Sequence, residues 1–127
     1  MKRRQLLVAI LKGMAISIFA GRSVRAQDDL DPVKMMPETH KVLFENALVR
    51  VIEGKVPAGG MEPKHRHPHC VLVALADFDS EIRTLPDGKW VPVHRAFGTA
   101  TWNEATVHEV RIVGNAPSHT VRVELKN

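Results

Sequence analysis

The chain has 127 residues, the size of one domain, with 18 basic and 14 acidic side chains and a net charge of +4 when histidine is neutral. Six of the basic residues and none of the acidic ones fall in residues 1–26, so the remainder carries 12 basic and 14 acidic groups, a net of −2. That balance gives no electrostatic footprint for nucleic acid, and a single cysteine, Cys70, excludes an internal disulfide.

Residues 1–26 have the layout of a cleavable secretory signal peptide. A basic start, Met1-Lys2-Arg3-Arg4, precedes apolar runs at Leu6–Leu11 and Met14–Ala20, and Ser23-Val24-Arg25-Ala26 offers short side chains where a signal peptidase reads. Neither run approaches the roughly 20 residues a bilayer span needs, so no membrane partner is expected after cleavage. Arg3-Arg4-Gln5-Leu6-Leu7 is similar to a bacterial twin-arginine signal, although Lys2 stands where Ser or Thr is usual. The expected location is the periplasm or the exterior. Residues 27–40, polar and with two prolines, read as an N-terminal arm that is ordered only by packing on something else.

From residue 41 to 127 the pattern is β throughout. Short runs rich in Val, Ile, Thr and Leu, parted by Gly, Pro, Asn and Asp, predict strands near 41–45, 48–56, 62–67, 70–77, 80–85, 90–95, 98–102, 106–113 and 119–125. Pro57-Ala58-Gly59-Gly60 reads as a loop and Pro86-Asp87-Gly88-Lys89 as a hairpin turn. The fold class is all-β, a small barrel or sandwich. In 120–125, Val121, Val123 and Leu125 alternate with Thr120, Arg122 and Glu124, which predicts an apolar face inside and a polar face in water. In 107–113, His108 shares a face with Val110 and Ile112, opposite Glu109 and Arg111.

The informative stretch is Gly60-Met61-Glu62-Pro63-Lys64-His65-Arg66-His67-Pro68-His69. Alternate side chains of a strand share a face, so His65 and His67 converge, and His69 joins them unless Pro68 ends the strand and turns it outward. Two imidazoles on one strand face can grip a divalent transition metal when a third arrives from elsewhere, and His108 is the best supplier. An H-x-H pair also arises by chance. The case rests on the pair, the glycines before it, the β frame and His108 together. His40, His94 and His119 read as surface residues. Glu62 could approach the site from the strand before the pair. Cys70 reads as a small buried hydrophobe rather than a nucleophile, Glu109 as solvated, and Trp90, Trp102 and Phe97 either line the barrel or fill it.

These features resemble the cupin family of double-sheet jelly rolls over about residues 40–126. Gly59 or Gly60, His65 and His67 match the family's first motif, and Gly98 and His108 match parts of its second. Leu85-Pro86-Asp87-Gly88 and Val123-Glu124-Leu125-Lys126 look like one group of small single-domain cupins. The glutamate the first motif places around 70–72 is absent, since Cys70, Val71 and Leu72 stand there. The resemblance therefore implies the three-histidine variant, with His65, His67 and His108 as metal ligands and further positions left for water or substrate. Fe(II) is the favoured ion, with Mn, Ni, Co, Cu or Zn open. It further implies a small-molecule ligand or substrate and a homodimer. Two functions follow: a metal-dependent oxygenase acting on an oxygen-rich or thiol small molecule, or a non-catalytic module that holds a metal or small ligand. The cysteine–tyrosine crosslink of some related thiol dioxygenases is excluded, because the chain has no tyrosine.

Overall fold

A computed structural model describes residues 29–127. The expected signal peptide, 1–26, and the first residues of the arm lie outside the described residues. A single turn of helix, α1 (Pro32–Met35), is followed by nine strands: β1 (His40–Glu45), β2 (Val49–Val56), β3 (Met61–His67), β4 (Cys70–Ala74), β5 (Phe78–Thr84), β6 (Val91–Arg95), β7 (Ala100–Asn103), β8 (Thr106–Val113) and β9 (Ser118–Leu125).

The strands pair antiparallel in two sheets, one in the order β1-β2-β9-β4-β7 and one in the order β3-β8-β5-β6. Sequence neighbours such as β3 and β4 lie in different sheets, so the chain wraps a shared interior as a jelly roll does. The loop Pro57–Gly60 turns between the sheets, and Gly59 takes φ +79°, a left-handed conformation that a side chain disfavours.

The interior has two halves. Val56, Ala74, Phe78, Val110 and Ile112 form an apolar cluster, with Ile82 and Ala116 packed against it. These come from the C-terminal ends of β2, β4 and β8 and the start of β5. The other half is polar: going down β8 from Ile112 and Val110, the inward residues become His108 and Thr106. This asymmetry overturns the expectation for β9. Ser118 and Glu124 are buried on the inner side, while Thr120 and Arg122 line the interior cavity beside them. The strand's polar face is thus the inner one. A half-buried valine-rich face on the outer side of the sheet gives the same alternation as one turned inward, so periodicity alone cannot orient it.

The described part of the arm carries a helical turn that the sequence pattern does not mark. Asp31 caps α1 by accepting a hydrogen bond from the Val33 amide at 2.9 Å, and Pro32 occupies the first turn, where its missing N–H costs nothing. The helix packs on β1 and β3, next to the site.

Candidate metal centre

The site is built on β3 and its partner β8. His65 lies directly across from His108 and His67 across from Thr106, with side chains on a shared face. His65 and His67 obey the period of two. The ring centroids stand 4.6 Å apart for His65–His108, 4.7 Å for His65–His67 and 5.3 Å for His67–His108. One nitrogen of each lies within 4.8 Å of the others, and all three residues are buried. The sequence expected this convergence, and the structure brings the three rings together.

Hydrogen bonds set where the protons sit. Nδ1–H of His65 donates to the Pro63 carbonyl at 2.7 Å, and Nδ1–H of His67 donates to Glu124 Oε2 at 2.8 Å. Each bond leaves Nε2 as the lone-pair nitrogen. Nε2 of His67 is buried and has no hydrogen-bond partner among the described residues. A lone pair held in that state costs free energy unless something accepts it, and a metal ion does. Nε2 of His65 and Nε2 of His108 are 3.0 Å apart. Two nitrogens bound at right angles to one ion at about 2.1 Å would stand about 3.0 Å apart. The three residues fit a divalent metal.

Burial also keeps the imidazoles neutral, the form that binds metals. Desolvation lowers the pKa of His65, opposed by the charge of Glu62, and lowers that of His67 well below its ordinary value. For His108 desolvation, with the neighbouring His65 and Arg122 adding to it, lowers the pKa to about 3.

Two carboxylates bear on the site. Glu124 links His67 to a buried chain: Arg50 donates to Glu124 Oε1 at 2.9 Å and to Asp31 Oδ2 at 2.7 Å, so the cap of α1 is wired to a candidate ligand. Burial raises the pKa of Glu124, and Arg50 opposes the rise. Glu62 is nearer still, with Oε1 3.8 Å from His65 Nε2 and 3.2 Å from His40 Nε2. Burial would raise its pKa, but its bond to His40 and the charges around it win, and the net shift is downward. Simple alternation would put Glu62 on the face opposite His65. A register shift between Glu62 and His65 in the β3–β8 pair brings both to one side. A carboxylate on β3 thus stands beside His65, although residues 70–72 supply none.

The structure places the other candidates, bearing out some expectations and correcting others. His40 is a buried residue, not a surface one, held by Thr39 Oγ1 at 2.9 Å from Nδ1 and by Glu62. His94 is exposed beside Asp79, and His119 is partly buried with Nε2 2.8 Å from Glu53. His69 turns away: it stacks on Trp102 and donates to Glu104 at 3.0 Å, because β3 ends at His67 before Pro68. Trp102 and Phe97 are exposed and neither line nor fill the barrel, whereas the ring of Trp90 meets the guanidiniums of Arg83 and Arg111. Glu109 is paired with Arg83 rather than merely solvated. Cys70 is fully buried as expected, and its sulfur accepts a hydrogen bond from Arg122 Nη1 at 3.0 Å.

Behind His108 the interior opens into a cavity of about 90 Å³ whose polar wall includes His40, Glu62, Arg95, Asn103 and Arg122. Sequence reasoning missed Asp31, Arg50, Glu124 and both of these arginines as interior residues. For Arg122 and Glu124 the signal is a polar residue at every second place in β9, a pattern that marks water as readily as a polar interior.

No family profile and no curated protein matches the chain. Solved structures do. A cupin domain from Bordetella pertussis Tohama I is 26% identical with a TM-score of 0.62, covering 69% of this chain and 92% of its own. A protein with a double-stranded β-helix domain from Klebsiella pneumoniae (19% identical, TM-score 0.54, covering 68% and 74%) and an RmlC-like cupin family protein from Methanocaldococcus jannaschii (15% identical, TM-score 0.53, covering 68% and 77%) share the fold. The architecture is the cupin double-stranded β-helix, and its three-histidine cluster fits a metal site.

Proposed function

We propose that the chain is an exported cupin enzyme, a metal-dependent oxygenase that uses Fe(II) at His65, His67 and His108 on a small oxygen-rich or thiol substrate. The observation that carries this reading is the buried, unpartnered Nε2 of His67 beside two further neutral imidazoles. Held there, the ion supplies Lewis-acid polarisation and access to O₂ chemistry. The protein's own groups do the remaining work. His65 and His67 are oriented by Pro63 and Glu124, and Glu62 holds a negative charge 3.8 Å from His65 Nε2. His40 Nε2, 3.2 Å from Glu62, is placed to give or take a proton at that carboxylate. The apolar cluster fills the far end of the barrel. A homodimer paired through the β1 edge is part of the proposal, supported by exposed Val42, Leu43 and Phe44 on that strand.

The test is metal analysis of the purified protein followed by O₂ uptake with diketones, flavonols and thiols. Substrate-linked O₂ consumption by an iron-loaded sample is expected. Bound metal without turnover on any of them would replace the enzyme by a non-catalytic binding module. His65→Ala and His108→Ala should each release the metal, while exposed His94→Ala should retain it. Equal metal in all three would remove the site assignment.

A further inference from the structure

We propose that the barrel cavity receives a short organic acid, its carboxylate held by Arg95 and Arg122 while its other end reaches the three-histidine centre. This deepens the reading above and rests on it only for the second contact.

Arg50, Arg83 and Arg111 each meet a carboxylate, at Asp31 and Glu124, at Glu109 and at Glu81. Among the described residues Arg95 and Arg122 form no ion pair with one, although both are partly buried and both line the cavity, and Arg122 acts on Glu62 and Glu124 only through its field. The contacts they do make are weak ones. Arg122 donates to the thiol sulfur of Cys70 at 3.0 Å, and Arg95 Nη1 reaches Thr101 Oγ1 at a long 3.4 Å. A guanidinium has five N–H donors in a planar fork that matches a carboxylate, and a thiol is a poor acceptor for it. Two such forks turned into one interior, away from any carboxylate contact, carry a desolvation cost that an arriving anion relieves. The electrostatics agree, since burial and the charge of Arg122 together lower the pKa of Arg95.

Charge accounting points the same way. Among the residues lining the cavity, the two guanidiniums of Arg95 and Arg122 stand against one carboxylate, Glu62, and burial keeps His65 and His108 neutral. A divalent ion held by neutral ligands adds an unbalanced positive charge, which an anion reduces. Size sets the class further. With one water-sized position taking at least about 10–15 Å³, the cavity of about 90 Å³ suits a molecule of about six non-hydrogen atoms. Lactate and pyruvate have this size and carry a second oxygen donor next to the carboxylate.

The experiment loads the protein with Co(II), verifies the metal content, and titrates lactate, pyruvate, lactamide and inorganic phosphate while following the visible cobalt absorption. Saturable binding of at least one acid with a shifted cobalt band is expected, with lactamide inert. Arg122→Gln and Arg95→Gln should each weaken the acid by tenfold or more at unchanged cobalt content, which also shows that the variants are folded. Lactamide binding as tightly as lactate, phosphate binding where neither acid does, or wild-type affinity in both variants would overturn the proposal. Should cobalt not bind at all, the metal reading fails by itself. Calorimetric titration of the metal-free protein with the same acids then decides: binding lost in Arg122→Gln upholds the arginine site, and no heat from either acid removes it.

Discussion

At the scale of single residues, the centre depends on proton placement as much as on the ring positions. His67 presents Nε2 because Glu124 takes the proton of Nδ1. Glu124→Gln keeps the shape but replaces a carboxylate by an amide that can also turn its NH₂ toward the ring. Such partners typically contribute 10- to 100-fold in metal affinity. A loss of about tenfold or more is expected for Glu124→Gln, read by competition against a chromophoric chelator, with the folded structure retained by circular dichroism. Glu62→Gln discriminates a different point. If the carboxylate contributes directly to holding the ion, the same assay shows a comparable loss; if it acts only as proton carrier with His40, metal affinity stays and turnover falls.

At the scale of elements, what was legible in the sequence was whatever follows from a strict period of two. The nine strands, the shared face of His65 and His67, and the inward position of His108 with Val110 and Ile112 all follow from alternation between turn signals. Glu62 was named as a residue that could approach the site, but strict alternation could not place it there, because the irregularity beside Pro63 changes the face of the residues before it. The inner role of Arg122 and Glu124 was hidden for another reason: alternation tells that two faces differ, not which is inside. The helix α1 was concealed by its length, a single turn whose cap at Asp31 and proline at position 32 are its only marks. That turn is joined to the centre through Arg50. Arg50→Ala leaves Glu124, 3% exposed in its side chain, without its guanidinium. A destabilisation of about 2 kcal/mol or more is expected from stranding a buried carboxylate, somewhat below the value for a wholly dry pair because Arg50 retains some solvent contact. Urea denaturation measures it, and a change within about 0.5 kcal/mol would mean that the arm and β9 are not coupled in this way.

At the scale of the whole molecule, a polar half-interior makes the fold sensitive to acid. His65, His67 and His108 all have lowered pKa values, the last to about 3, chiefly because burial disfavours the imidazolium. Between their folded values and the ordinary 6.5, the unfolded chain binds protons that the folded chain refuses. Stability of the metal-free protein therefore falls as pH drops from 6.5, with a limiting slope of about 1.4 kcal/mol per pH unit for each histidine. Glu124 acts in the opposite sense, since its raised pKa makes the folded state the better proton binder above 4.5. It is one group against three and works at the acid end of the window. Glu62, lowered by His40, adds its own loss only below 4.5, in the same direction as the histidines. The urea midpoint of metal-free protein should thus drop steeply from pH 7 to pH 5, and replacing His108 by Leu should flatten the curve by removing one buried titrating group. Saturating divalent metal competes with protons for the same lone pairs and adds about 2.7 kcal/mol at one hundred times its Kd, moving the fall to lower pH. A midpoint that is level from pH 7 to 5 without metal, or unmoved by it, would show that the three rings do not titrate as a buried neutral cluster.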